Sequence, residues 1–524
     1  MNQSYLICNA LCIDGSGREP LKKNLFIKDK FINYLGDEKP QADVVIDAKG
    51  LVLTPGFIDT HGHSEFTLSA DGRAQGKISQ GVTTEINGNC GISAGPIYND
   101  AVKQRASDFD ELGLKPWQSF EEFYKALSQR GFAINYATLC GQGNIRASVI
   151  GYQKGRADKT QMESMCNLLN EAISIGARGL STGLIYPPGL FTETEELIEL
   201  CKCMAKTNPN LLYVPHMRSE TDFVIEAIEE SIRICKESGV RLHISHLKTG
   251  GRANWHKIDK IIDLIENAKA EGLEITCDRY PYIASSTDLD TILPKWVFEG
   301  GIEEELKRLN SPDMVKKIKS ELKRENPLIW DEILVSSVYY EPNKWMEGLT
   351  IKEITERQGN NDPIDSLIAI IIADKAKTGG IFFTMNEDNL KKFLSLPYMM
   401  IGSDSAVRNF DGITKKGKPH PRGFGSFVRF IGKYVRDEGL MTLQEAIRRI
   451  TSLPAITFRI PKRGYLKEGY FADITLFDYS EIIDTADYKN PFHRAKGVKW
   501  VFVNGTPVYE DGEFTNKLTG MIIK

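Results

Sequence analysis

Eight short apolar segments recur along the chain, each followed by a stretch whose apolar residues fall at three- and four-residue spacing. They span 52–63, 81–90, 132–143, 177–186, 211–220, 240–249, 273–282 and 398–405. Their β-branched, turn-bounded character predicts strands, and intervening runs such as TETEELIELCKCMAKT and DFVIEAIEESIRICKESG predict helices. Parallel strands need a crossover of this length, so strict alternation predicts a parallel sheet. Eight repeats predict an α/β fold of the (β/α)8 barrel type, with its site at the C-terminal ends of the strands. The predicted strands end in polar clusters such as DTHGH, GNC, PHMRSE, SHLK and GSDS, which therefore share one rim.

Two regions stand outside the alternation. Residues 1–55 and 460–524 are strand-rich with tight turns, including VFVNGTPVYEDGEF, a predicted hairpin through Asn504-Gly505. Both ends of the chain are expected to form one small β-sandwich domain beside a barrel at 56–459. A second domain suits a length of 524 residues. Between the seventh and eighth strands, about 288–395, lie charged helical sequence and one extra apolar strand, IFFTMNE. An insertion of this size in a catalytic-face loop is expected to cover the site.

The charge balance, 66 basic against 70 acidic residues, contains no basic stripe, which argues against a nucleic-acid partner. The longest apolar run, LIAIIIA at 367–373, is too short to span a bilayer, so no membrane partner is expected. Nine cysteines are scattered without pairing pattern, apart from Cys201 and Cys203 in a predicted helix. A reducing cytoplasm is the expected compartment. No pattern speaks to oligomeric state.

The rim carries six residues of metal-ligand type: His61 and His63 after strand one, Cys90 after strand two, His216 after strand five, His246 after strand six and Asp404 after strand eight. Two histidines two apart share one face of a strand. Singly, each histidine reads as readily as a hydrogen-bonded core residue. Only eight exist in the chain, however, and four of them close barrel strands. Neutral imidazole, thiolate and carboxylate are the donors Zn²⁺ takes, with one position left for water in a catalytic site. His243, three residues before His246, is expected to face the helices in a structural role, and His256, His420 and His493 are left unassigned. The other cysteines read as small buried apolar residues.

The HxH after an apolar strand, the late GSD and the closing GYLKEGYFADITLFD resemble the amidohydrolase superfamily. More narrowly, NGNCGIS, STGLIYPPG, HMRSE, ISHLK, DRYPYIASST and KPHPRGFGSF resemble the D-aminoacylases, the N-acyl-D-amino-acid deacylases, in order and over nearly the whole chain. The resemblance implies a tightly held Zn²⁺ on Cys90, His216 and His246. It also implies a weaker second metal position at His61 and His63 with Cys90 bridging, and Asp404 as general base. Glu65 departs from the Asp common in related sequences but keeps the charge. The implied substrate is a small N-acyl-D-amino acid, or a dipeptide ending in a D-residue.

Such a substrate carries an α-carboxylate that needs a fixed cation or hydroxyl donors. Lys248 shares parity with His246, and Tyr186, Tyr282 and Ser285 match positions the family uses around its substrate. Arg218 shares parity with His216, with pairing to Glu220 as its competing role, and Arg422 serves either the substrate or a helix cap. Two other readings compete. Cyclic-amide hydrolases of the hydantoin and dihydroorotate type bridge their metals with a carbamylated lysine from strand four, but ARGLSTGLIYPPG has no lysine. A non-catalytic scaffold would have little reason to keep all six ligand-type residues.

Overall fold

The first predicted strand breaks in two at Gly56, where a Cβ would sit 2.2 Å from Thr83 Oγ1. Val52–Pro55 pairs antiparallel with Ile474–Phe477 and parallel with Leu11–Cys12, whereas Phe57–Asp59 turns into the barrel as strand β1. The structure, a computed structural model, describes residues 3–325 and 329–524.

The remaining barrel strands are β2 (Val82–Asn87), β3 (Asn135–Thr138, resuming at Cys140–Gly141), β4 (Gly179–Gly183), β5 (Leu212–His216), β6 (Arg241–Ile244), β7 (Ile275–Arg279) and β8 (Met399–Ile401). Neighbours pair in parallel throughout. A parallel bridge between Gly62 and Ser405 brings the ends of β1 and β8 together and closes the ring. Pleating sends alternate residues to opposite faces. Ile58, Ile86, Ala137, Leu212, Val214 and Met400 fill the interior, while Phe57, Val82, Tyr136, Leu180, Tyr213 and Leu242 pack outward on the helices. The helices follow from local signals: Ser119 and Asp158 form capping boxes with Glu122 and Gln161, and Gly239 ends its helix in the left-handed conformation.

Strands from both ends of the chain share a seven-stranded sheet, and a four-stranded sheet of N-terminal strands packs on it through Ile7, Leu25, Ile27, Leu53, Ile474 and Phe502. The hairpin at Asn504-Gly505 forms with φ of 49° and 77°, as its two-residue turn requires. Between β7 and β8, strands Ser285–Asp288, Ile333–Ser337 and Gly379–Phe382 make a small antiparallel sheet. The apolar run at 367–373 lies in helix Pro363–Ala373 and packs into this segment's own core. Among the described residues, no helix is long and apolar enough to cross a membrane.

Candidate metal centre

At the strand ends the backbone leaves its ordinary conformation at chemically important positions. Cys90, His246 and Asp404 have φ of 53°, 33° and 50°. A residue with a Cβ pays about 1–3 kcal/mol to stay there, and such strain collects at functional sites. Around Cys90 the reversal is helped by Gly88 and Gly91, where a Cβ would strike Leu139 O at 2.2 Å and Gly183 N at 2.7 Å. At Asp404 the turn is held by its N–H, which donates to His61 O at 2.8 Å. Gly402 has no side chain because a Cβ would lie 2.5 Å from His61 Cβ.

These turns bring two groups of donors together. Cys90, His216 and His246 form one; His61, His63, Cys90 and Asp404 form the other; within each, the ligand atoms lie within 4.8 Å of one another. Cys90 belongs to both, with its Sγ 3.3 Å from His61 Nε2 and 3.5 Å from His246 Nε2. His216 is buried, yet neither of its ring nitrogens has a hydrogen-bond partner; the Glu220 carboxylate lies 3.7 Å from its Nε2. A buried imidazole left without a partner is costly, so an ion on one nitrogen fits it. Burial alone would push the Cys90 thiol up, but the imidazoles of His61, His216 and His246 outweigh it and hold the thiol well below its ordinary range. A thiolate with two imidazoles is a donor set suited to Zn²⁺.

Carboxylates behind the donors orient them. Asp278 Oδ2 lies 3.2 Å from His61 Nδ1 and 3.0 Å from His243 Nε2, and Oδ1 accepts the His246 N–H at 2.7 Å. Glu220 lies 2.8 Å from His246 Nδ1 and pairs with Lys248 Nζ. Asp404 lies 3.1 Å from His63 Nε2 and 2.9 Å from the Arg422 guanidinium. Burial raises the Asp404 pKa, but Arg422 and His61 more than reverse this and keep it well below the usual carboxylate range.

His243 therefore does not face the helices, as its distance from His246 suggested. It points into the barrel, packs on Phe458 and is buried against Asp278 and Thr276. The reason is that β6 ends at Ile244, so strand parity stops before His246, which is turned inward by its left-handed backbone. Nor do His61 and His63 lie on a strand: β1 stops at Asp59, and a turn brings their rings to 5.2 Å.

A cavity of about 2200 Å³ opens above the donors. Lys248, Tyr186, Ser285, Arg218 and Arg422 line it, together with His63, Cys90, His216, His246 and Asp404; His61 sits below, fully buried. Tyr186 bonds Thr287 through its hydroxyl, and Arg422 lies over the Tyr280 ring. Arg218 does not pair with Glu220 but grips Glu230 with Nε and Nη2. Tyr282, expected beside the substrate, does not line the cavity: its hydroxyl donates to Asp484 away from it, and Tyr280 takes the place on the wall. The chain leaves the strand at Arg279 and bends through a bond from Tyr282 N to Tyr280 O, which ends the parity behind the expectation. Asp278 shares the inward parity of Thr276 on β7, the one signal in the sequence that points to it, and Glu220 meets His246 and Lys248 rather than Arg218.

A profile of the amidohydrolase family matches residues 44–208 and 401–509. A D-aminoacylase of Alcaligenes xylosoxydans xylosoxydans is 32% identical over 519 residues, covering 99% of this chain and 97% of that protein. The crystal structure of a D-aminoacylase superposes with a TM-score of 0.83 at 30% identity, covering 100% of both chains. The N-acyl-D-glutamate deacylase of Bordetella bronchiseptica, solved with zinc and a phosphonate that mimics the tetrahedral intermediate of its reaction, superposes with a TM-score of 0.82 at 29% identity over 100% of both chains.

Proposed function

The chain belongs to the amidohydrolase family, and on that premise we propose that it is a zinc-dependent hydrolase of N-acyl-D-amino acids, or of dipeptides ending in a D-residue. The observation that carries this reading is the pair of donor groups sharing Cys90 at the floor of a cavity, with an ionised Asp404 beside them. Likeness to D-aminoacylase and to a zinc-bound N-acyl-D-glutamate deacylase supports the substrate class and the ion. Cys90, His216 and His246 would hold the tight ion, and His61, His63, Cys90 and Asp404 a second, weaker one.

A zinc ion held by Cys90, His216 and His246 would supply Lewis acidity at this floor, for water activation near neutral pH and for charge developing on the carbonyl oxygen. The rest falls to the chain. Asp404 accepts the proton of the attacking water and returns it to the departing nitrogen, so that one water is consumed, the amide C–N bond breaks, and a carboxylate and a free amine leave. Arg422 keeps Asp404 ionised and in place. Lys248, Arg422, Ser285 and Tyr186 present cations and hydroxyls to the cavity, which suits the substrate α-carboxylate. We assign the segment at about 288–395 the role of cover, because Asp290, Ile292, Ser336, Tyr339 and Lys377 contribute to the cavity wall.

Hydantoinase-type chemistry is disfavoured by the GLSTG sequence of β4, which offers no bridging lysine. A cytoplasmic setting suits nine free cysteines. The deciding experiment is release of free amine from a panel of N-acetyl and N-aminoacyl D- and L-amino acids, with zinc analysis of the same preparation. Selective release from D-substrates by zinc-loaded protein is expected. Release from L-substrates alone, or from cyclic amides alone, would overturn the assignment.

A further inference from the structure

Beneath the donors lies an ammonium group that the proposed chemistry does not use. Lys77, on helix Gln75–Ile78, is fully buried. Its Nζ donates to Asp59 Oδ2 at 2.6 Å, to Ser403 Oγ at 2.6 Å and to Ser405 O at 3.0 Å, and lies 2.8 Å from Glu85 Oε1. Two of these partners, Ser403 and Ser405, are the residues on either side of Asp404. A third, Asp59, accepts the backbone N–H of Ser403 at 2.8 Å and that of His61 at 3.1 Å. The central glycine of the HGH motif serves the same knot: a Cβ on Gly62 would lie 2.4 Å from the Glu85 carboxyl and block its path to Lys77.

We propose that Lys77 is a positioning residue for Asp404, locking the turn that carries the proton-transfer carboxylate from beneath the barrel rim. Asp404 has a positive φ of 50°, a conformation that costs a residue with a Cβ energy its surroundings must offset. Its single backbone N–H bond, to His61 O, restrains one point of that turn. Lys77 restrains the carbonyl after it and the hydroxyl before it, and through Asp59 it ties both to β1. Released from this clamp, the turn relaxes and the Asp404 carboxylate loses its alignment with His63 and Arg422. A misplacement of about 1 Å at a reacting group lowers turnover by roughly 100-fold. His216 and His246 stand on other strands, and Cys90, although it follows the β2 strand that carries Glu85, does not touch Lys77, so the tight ion keeps its three donors. This inference rests on the reading of Asp404 as the proton-transfer group.

The test uses the full-length zinc-loaded protein and an N-acetyl-D-amino acid that it hydrolyses. Ser403→Ala removes the Lys77 contact and the longer hydroxyl bond to His61 O without stranding a charge, Ser403→Thr restores the hydroxyl, and Lys77→Met with Glu85→Gln removes the ammonium together with one of its counter-charges while leaving Ser403 Oγ on His61 O. Expected are falls in kcat of about tenfold in Ser403→Ala and about 100-fold in the double variant, recovery in Ser403→Thr, and KM and bound zinc within about twofold of wild type throughout. Unchanged kcat in Ser403→Ala, or a kcat that falls only in step with lost zinc, would overturn the proposal. The Ser403 pair decides it if the double variant does not fold. Asp404→Asn, measured alongside, separates the two readings: wild-type turnover there removes the proton-transfer role itself rather than the clamp.

Discussion

Asp278 Oδ2 stands 3.2 Å from Nδ1 of His61, and through this bond a strand-seven carboxylate sets which ring nitrogen of His61 faces Cys90. The same carboxylate also bonds the His246 backbone N–H and the His243 ring, so one buried side chain orients residues of both donor groups. An imidazole whose far nitrogen is bonded to a carboxylate is fixed in tautomer and made a better ligand.

Asp278→Asn should therefore weaken metal binding while leaving every ligand atom in place. A loss of about 10- to 100-fold in zinc affinity is expected, larger for the second ion than for the first. Competition against a chromogenic chelator measures it, and unchanged affinity for both ions would show that Asp278 only fills space.

Cys90 is the residue common to both donor groups, so its loss should be felt at both. Cys90→Ala is expected to purify with far less than one zinc per chain and to lack amide hydrolysis. Cobalt-loaded wild type should show thiolate-to-metal absorption that this variant lacks. A Cys90→Ala protein with full zinc content would remove the thiolate from the centre.

Asp404→Asn keeps Cys90, His216 and His246 and should retain the tight zinc. It should lower kcat by about 100- to 10,000-fold, the range of a positioned acid–base group, with KM little changed. Steady-state kinetics on zinc-loaded protein provides the check.

In the wall of the cavity, burial and the neighbouring Asp288 carboxylate push Glu305 up from 4.5 to about 7. Between those values the folded chain binds a proton that the unfolded chain has released, so Glu305 lowers stability as pH rises from about 4.5 to about 7. Glu305→Gln should thus raise the melting temperature at pH 8 relative to wild type and flatten its decline over that window. Thermal melts from pH 4.5 to 8 test the sign, and a lower melting temperature for the variant at pH 8 would refute it.

Asp473 joins the terminal sheet to the barrel. It is buried, pairs with Arg463, accepts the Asn504 N–H at 2.7 Å and accepts from Asn135 of β3 at 2.9 Å. Asp473→Ala leaves the Arg463 guanidinium buried without its counter-charge, and a loss of about 3–5 kcal/mol is expected in denaturant unfolding.

The order of strands and helices, the rim on which polar clusters fall, and the identity of Cys90, His216, His246, His61, His63 and Asp404 as a set were all legible in the chain. Periodicity and residue chemistry are local properties, and a parallel barrel leaves few places for its strand ends to go. Local parity failed where regular backbone stopped. His243 turned inward, Tyr282 yielded the cavity wall to Tyr280, and the HxH pair lay past the end of β1 rather than on it. Partners distant in sequence were hidden for a related reason: nothing within a few residues of Asp278, Glu220 or Lys77 reveals that they meet His61, His246 and the Asp404 turn. The sequence by itself determined the architecture and which ligand-type residues meet on one rim, because pattern and chemistry are written residue by residue. Only the tertiary structure decided which atoms face one another, because left-handed turns and buried charges take their directions from side chains that the chain brings in from other strands.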